Sequence, residues 1–426
     1  MTTVLAPAAT GLLASWTAHH RTDLAAHLDT YGALALPLPG DRGRAGELVA
    51  ELETSGLTGR GGAGFPSARK LAAVAAAGRG ATIVVNAMEG EPANDKDRVL
   101  LSVAPHLVLD GAEVMALLLG SRRIVVCVAD DRDDAAARVA AAVAERTRAG
   151  LATVDVELAR PPARYVTGEE SALVSWLDGG AGAPRFRPDK AVPLALGRRP
   201  VLVHNAETLA HVTLIARYGA GWFRSRGTDD APGTTLVTVS GAVEHPGVHE
   251  IPLGMRVADV VAMARPTQPV QAVLVGGYGG TWLGAGHLGT PFAPGPLASV
   301  GAGVGAGILV VLGEAECGLG AAAAIASYMA GESAGQCGPC VFGLPAVADD
   351  LEALAAGLGG IATTERLRSR FSVVEGRGAC RHPDGVVRMA RSALAVFAVD
   401  VAAHAGGRPC RHAPVPPGRR ARRGPA

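Results

Sequence analysis

Between Glu47 and about Ala220 the chain alternates two periodicities, and this alternation constrains the fold more than any other feature. The runs ATIVVNA (81–87), RIVVCVA (123–129) and ATVDVEL (152–158) are rich in β-branched residues and read as buried strands. Helical patterns such as DDAAARVAAAVAERTRAG (133–150) lie between them. Strand–helix–strand repetition predicts an α/β domain over residues 46–230, built on a mostly parallel sheet with helices on its faces. Residues 1–45 are helical in pattern and broken by proline, so we expect an N-terminal wrap. After the turn-rich GTDDAPG the pattern changes. TTLVTVSG, GVHEIPL and QAVLVGG read as strands and MRVADVVAMA as a short helix, giving a compact α+β unit over 231–300. Residues 301–403 read as helical. In PAVADDLEALAAG the apolar Val347, Leu351 and Leu354 fall at i, i+4 and i+7. HPDGVVRMARSALAVFAVDVAAHAG opens on Pro and Asp and closes on Gly, which are helix start and stop signals. The Pro-rich basic tail, 404–426, is expected to be disordered.

Composition narrows the function classes. Of 426 residues 48% are apolar and 19% charged, a globular profile that can bury sizeable cores. A formal net charge of +1 gives no electrostatic case for nucleic acid. No apolar run reaches the length of a membrane span, and MTTVLAPAATGLLASW lacks a basic leader region, so the cytoplasm is the expected location. Six cysteines are too few for a disulfide scaffold, and their grouping toward the C-terminus favours metal or redox chemistry.

Five segments carry candidate chemistry. TGRGGAGFPSARK (58–70) packs four glycines around Arg60, with Lys70 following. Such a loop lets backbone amides approach a phosphate, and a helix start behind it adds its dipole. VVNAMEGEPANDKDR (84–98) follows a strand and places Asn86, Glu89, Glu91 and Asp95 where open α/β sheets bind ligands. ARYVTGEESALVSWLDG (163–179) brings Glu169 and Glu170 to a helix start, and VHNAETLAHV (203–212) adds Asn205 and Thr208. Each, taken singly, has an ordinary capping role as its alternative. ESAGQCGPC (332–340) holds Cys337 and Cys340 in C-x-x-C spacing, with Ala334 one step upstream and Cys380 downstream.

In this order the segments resemble the NADH-binding flavoprotein (F-type) subunit of respiratory complex I and its relatives in bidirectional hydrogenases and NAD-dependent formate dehydrogenases. The family patterns are G-R-G-G-A-G-F-P, N-A-D-E-x-E-P, Y-x-x-G-E-E-T-A-L, N-N-V-E-T-L-A and E-S-C-G-x-C-x-P-C plus a distant cysteine, and the likeness runs from about Gly56 to about Val399. The resemblance implies a Rossmann-like FMN-binding domain, a soluble-ligand-binding β-grasp (SLBB) module and a C-terminal iron–sulfur helical bundle. It implies that FMN is held by Gly59, Arg60, Gly61, Gly62 and Lys70, by Asn86 and Glu89, by Gly168, Glu169 and Glu170, and by Asn205 and Thr208. Phe65, Tyr165, Glu91 and Glu170 match the NADH pocket. Cys337, Cys340 and Cys380 match three of the four cluster ligands.

The sequence departs from the family at three places. Met88 stands for an acidic flavin contact. The adenine pocket's Trp-x-Phe reads Leu71-Ala72-Ala73, and P-R-x-K-P-P-F reads PRFRPDK, with Lys190 for Phe. Ala334 occupies the first cluster position, which leaves a [4Fe–4S] cluster short of one thiolate, or an open-cornered 3Fe–4S form. Ser333, Cys317 and Cys410 are possible substitutes for the missing ligand. Thiols without metal and a Cys₃His zinc site with His382 are the other readings, in that order. The implied function is electron transfer from NAD(P)H through FMN and the cluster to an electron carrier, a ferredoxin-like or thioredoxin-like iron–sulfur subunit. The alternative is a family member that is non-catalytic or reduced by a ferredoxin and has lost the NADH pocket or the full cluster.

This reading specifies the flavin. Flavin released from purified protein should co-chromatograph with FMN and not FAD, because the glycine loop is not the G-x-G-x-x-G dinucleotide fingerprint. Lys70→Ala should weaken flavin retention by removing a charge-assisted partner of the phosphate. Recovery of FAD would overturn the assignment.

Overall fold

The computed structural model describes residues 10–36, 41–78, 80–187 and 192–410. Its first sheet contains β1 (Thr82–Ala87), β2 (Arg123–Val128), β3 (Asp155–Ala159), β4 (Ala195–Leu196) and β5 (Arg199–Asn205), in the spatial order β3-β2-β1-β5-β4. β1, β2, β3 and β5 run parallel, and only the two-residue β4 is antiparallel. The expected α/β architecture is present, although β3 begins three residues later than the sequence pattern suggests. Side chains on β1 alternate between two cores, with Ile83 and Val85 on one face and Val84 on the other. Cys127 is a core residue, and burial pushes its thiol up to about 12.

The helix Pro105–Leu119 is buried almost throughout and crosses the helix Ala206–Arg224 at backbone contact. A Cβ on Gly111 would lie 1.9 Å from the Leu209 carbonyl oxygen, so only glycine fits there. The N-terminal helix Leu24–Tyr31 clips onto this layer. His27 Nε2 lies 3.0 Å from Asp110, and Asp110 also pairs with Arg146 at 2.7 Å and with Arg217.

The second sheet holds β6 (Thr234–Gly241), β7 (Gly247–Pro252), β8 (Val270–Val275), β9 (Thr281–Gly284) and β10 (Ile308–Gly313), ordered β7-β6-β10-β8-β9. Its central strand, β10, is parallel to β6 and antiparallel to β8. This corrects the expected boundary at 300, because the β-grasp unit extends to Gly313. ILVVLG is apolar throughout and buried on both faces, so it lacks the alternation that marks a half-buried strand.

That two-sided burial fixes the third unit. Val273, Val275, Leu309 and Val311 pack with the sheet's own helices, whereas Ala272, Leu274, Ile308, Val310 and Leu312 pack against the C-terminal bundle. The bundle comprises the helices Gly318–Gly331, Leu344–Ala355, Gly360–Val374, His382–Val396 and Ala398–Ala405. Residues 404–410, expected in a disordered tail, pack against it; 411–426 and Lys190 lie outside the described residues. No single helix among the described residues is long and apolar enough to cross a membrane.

Candidate active site

Parallel strands β1 and β5 are neighbours in the sheet, and a cleft is lined by the segments that follow their carboxyl ends. Asn86 and Asn205 are register partners there. Asn205 Nδ2 donates to the Asn86 carbonyl at 3.2 Å, and Asn86 Nδ2 donates to the Gly168 carbonyl at 2.9 Å. The glycine loop folds over the same edge. The Gly59 N–H donates to the Phe65 carbonyl at 2.9 Å and closes the loop. A Cβ on Gly61 would lie 3.2 Å from Asn205 Cβ, and Gly62 has φ +115°, so both positions suit glycine.

Above this edge is a cleft of about 360 Å³. It is walled by Gly61, Gly62, Asn86, Glu89, Glu91, Tyr165, Gly168, Glu169 and Asn205 from the α/β domain, by Gly276, Gly279 and Gly305 from the β-grasp unit, and by Cys380, His382 and Arg388 from the bundle. Three structural units therefore meet at one cavity, and nine of the residues selected from sequence line its α/β side.

The other selected residues sit around it. Gly59 and Thr208 support the loop; Thr208 Oγ1 accepts from the Arg60 N–H at 2.9 Å. The Arg60 side chain turns away from the cavity, which leaves its backbone in the loop. Its buried guanidinium donates to Thr58 Oγ1 at 3.0 Å and to the Thr234 carbonyl at 3.2 Å, bracing the loop against β6. Lys70 Nζ donates to Glu170 Oε2 at 2.9 Å and to the Val203 carbonyl at 2.7 Å. Phe65 is 49% exposed, with the Arg69 guanidinium 5.8 Å from its ring centroid. Leu71, at the position of the family's Trp, is buried in the α/β core.

Electrostatics single out residues that carry no signal in the sequence. Lys96 Nζ lies 2.8 Å from Asp97 and 3.0 Å from Glu207, and donates to Asn205 Oδ1 at 3.0 Å. Burial opposes its charge, but the two carboxylates outweigh burial and hold the ammonium above its ordinary range. Lys96 thus brings a fixed positive charge to the cleft wall. Burial pushes Glu89 and Glu91 up to about 8, so both are largely protonated at neutral pH. Glu89 accepts the Asp97 and Arg98 N–H groups at 2.7 and 3.1 Å from a backbone with φ +37°. Glu91 accepts the Tyr278 N–H of the β-grasp glycine loop, where a Cβ on Gly277 would lie 2.4 Å from the carboxylate. Neutral carboxyls beside a buried lysine and open backbone form a pocket that tolerates a phosphate and hydrogen-bonds polyols. This donor set fits an FMN.

The thiols follow from the bundle. Cys337 and Cys340 lie just beyond the helix Gly318–Gly331, and Cys380 just before the helix His382–Val396. Burial, reinforced by the nearby Cys337 and Cys380, pushes the Cys340 thiol up to about 12, so the three share one neighbourhood. They do not form a set with every sulfur within 4.8 Å of the others, whereas a single zinc at about 2.3 Å from each would require about 4 Å. His382 Nε2 donates to the Met329 carbonyl at 2.8 Å. The wider spacing fits a multi-iron cluster better than one ion. The turn carrying Ala334 is docked on the α/β domain, since the Tyr165 N–H donates to Glu332 at 2.9 Å and Arg164 donates to the Ser333 carbonyl at 3.1 Å. Cys317 starts a 14-residue helix whose far end leads to this turn, about 20 Å away. It cannot supply the missing ligand.

Comparison with known proteins agrees with this geometry. The family described as Nuo51 FMN-binding domain matches residues 52–214, the SLBB domain matches 236–265, and the NADH-ubiquinone oxidoreductase-F iron-sulfur binding region matches 316–404. The second NADH-quinone oxidoreductase F-type protein of Rhizobium meliloti is 32% identical over 378 residues, covering 85% of this chain and 90% of its own. The chain belongs to the F-type family of NADH-quinone oxidoreductase subunits. The corresponding F-type protein of Escherichia coli is 31% identical over 82% of each chain. NADP-reducing hydrogenase subunit HndC of Solidesulfovibrio fructosivorans is 28% identical over 85% of this chain and 77% of its own. The crystal structure of an NAD+-reducing [NiFe]-hydrogenase in the H2-reduced state superposes with a TM-score of 0.80 at 31% identity, covering 95% of this chain and 68% of that one. This F-type relative is therefore an FMN- and iron–sulfur-type oxidoreductase subunit, with its flavin-domain and cluster-domain residues facing one cleft.

The raised carboxyls give a pH signature. In the unfolded chain a glutamic acid loses its proton near 4.5, whereas folded Glu91 keeps its proton to about 8. As pH rises through that window the unfolded state sheds the proton first, so the folded state loses relative stability. Glu91→Gln should flatten the melting-temperature profile between about pH 5 and about pH 8. An unchanged slope would show that this carboxyl ionises freely.

Proposed function

We propose that this subunit takes electrons from a reduced nicotinamide dinucleotide and passes them to a ferredoxin-like or thioredoxin-like iron–sulfur partner on the cytoplasmic side of the cell. The observation that carries the reading is Cys380, at the position of a family cluster ligand, standing in the wall of the cleft lined by Gly61, Asn86 and Glu169. Bound FMN supplies the conversion of a hydride into single electrons, and the thiolate-held cluster supplies their exit. The chain's own residues do the positioning. The Gly61–Gly62 backbone and Lys96 receive the phosphate end, with Lys70 behind the loop. Asn86, Glu89, Glu169 and Asn205 hold the polar chain of the flavin. Glu91 and Tyr165 border the dinucleotide side. The β-grasp glycine loop, tied down by Arg388 Nε donating to the Gly279 carbonyl at 3.0 Å, narrows the cleft to water. No side chain is required as a general acid or base.

Dinucleotide affinity tests the proposal. Stacking on an adenine is worth about 1–3 kcal/mol per ring, by analogy with single-stranded nucleic-acid sites. Leu71 and Ala73 supply no ring, which leaves Phe65 as the aromatic presented by the loop. NADH and NADPH titrated anaerobically against flavin bleaching should both reduce the protein, with half-saturation well above the micromolar range. Phe65→Ala should weaken binding about tenfold further. Micromolar half-saturation unaffected by Phe65→Ala would contradict the assignment of the pocket, and no bleaching by either dinucleotide would contradict the function.

A further inference from the structure

Cys317, His404 and Cys410 converge at the end of the bundle remote from the cleft. Their ligand atoms all lie within 4.8 Å of one another, the one three-residue set of this kind among the described residues. We propose that these three residues form a zinc site, separate from the iron–sulfur site and holding the end of the chain against the bundle.

Each of the three residues presents its ligand atom to the others. His404 Nδ1 lies 2.8 Å from the Ala355 carbonyl oxygen. A carbonyl only accepts, so Nδ1 carries the proton and Nε2 presents its lone pair inward. A ring nitrogen anchored on a backbone carbonyl, with the other nitrogen free to ligate, is the usual arrangement of metal-binding histidine. Cys317 caps the helix Gly318–Gly331, and its sulfur accepts the Gly320 N–H at 3.2 Å. Helix N-termini favour negative charge, which suits a thiolate. Cys317 Sγ lies 3.8 Å from His404 Nε2. A tetrahedral zinc with bonds of about 2.0–2.3 Å separates its ligand atoms by about 3.5–3.8 Å, so this pair is already at ligand spacing.

Cys410 completes the set from beyond the last helix. Its N–H donates to His404 Nε2 at 3.1 Å and caps the lone pair a metal would use. Metal entry therefore requires this amide to swing aside. Cys410 follows Gly407, which has φ +72°, and lies outside any helix, so that adjustment breaks no helical hydrogen bond. Cys317 and His404 are 8% and 1% exposed and Cys410 is half-buried, and the fourth position is left for water or another ligand. Two thiolates and one imidazole are a zinc donor set. The site joins the first helix of the bundle to its last, about 20 Å from Cys337 along the helix Gly318–Gly331. It therefore acts on stability and not on the electron path.

Zinc and iron per chain, measured by mass spectrometry on anaerobically purified protein after exhaustive dialysis, test the proposal. We expect about one zinc in wild type and in Cys337→Ser/Cys340→Ser, and none in Cys317→Ser or His404→Ala. Because those variants can unfold, the folded wild-type protein supplies a second readout. One equivalent of zinc should slow alkylation of Cys410 at least tenfold without changing that of Cys337, as followed by peptide mass mapping. The proposal is overturned if zinc tracks Cys337 and Cys340, if no zinc is retained and alkylation is unaffected, or if anaerobic mapping finds Cys317 and Cys410 joined as a disulfide.

Discussion

One buried ion pair holds the cleft together. Lys96 starts the helix that follows β1, and Glu207 lies in the first turn of the helix that follows β5; their charged atoms are 3.0 Å apart with no side-chain exposure to speak of. Glu207 also accepts Thr235 Oγ1 at 2.9 Å and the Leu236 N–H at 2.8 Å. The pair thereby binds the helices that follow β1 and β5 to the first strand of the β-grasp sheet. Removing either partner strands a charge in the interior, a defect that costs about 3–5 kcal/mol in other proteins. The pair also sets the electrostatics of the cleft. With Glu207 holding Lys96 charged and burial favouring the protonated forms of Glu89 and Glu91, a wall that looks acidic in sequence carries less negative charge in the fold.

The second constraint is the double use of the β-grasp sheet. β8 and β10 send alternate residues into two cores, one belonging to the β-grasp unit and one to the helical bundle. Register alone therefore fixes where the bundle sits, because a slip of one residue would exchange the two faces. With the bundle fixed, Cys380 lies in the cleft wall and the Ala334 turn docks on the segment carrying Tyr165. The path from flavin domain to cluster domain is thus a consequence of strand packing, not of long flexible loops.

Much of this is legible in the sequence, and the gaps have physical causes. β1, β2, β6, β7 and β8 follow from β-branched runs bounded by turn residues. β10 escapes the pattern because burial on both faces removes the period-two signal, and β5 because its polar end merges into a helix cap. The glycine loop and the two asparagines follow from motif chemistry. Lys96 and Asp97 give no sequence signal because adjacent opposite charges suggest a solvated loop, and only tertiary contact with Glu207 shows them buried. Arg60 has the place of a ligand in its motif, whereas its side chain braces β6. Cys317, His404 and Cys410 have no spacing that marks a metal site, since 87 residues separate the first two.

In the proposed function, electrons leave through a cluster held by Cys337, Cys340 and Cys380 with Ala334 at the fourth corner. The most direct measurement is iron content and electron paramagnetic resonance after anaerobic reconstitution with iron and sulfide, compared among wild type, Ala334→Cys and Cys380→Ala. We expect wild type to take up iron and to interconvert readily between three-iron and four-iron forms, Ala334→Cys to hold the four-iron form against oxidation, and Cys380→Ala to lose the signal. A wild-type protein that takes up no iron, or a Cys380→Ala variant with unchanged iron and spectrum, would contradict the account.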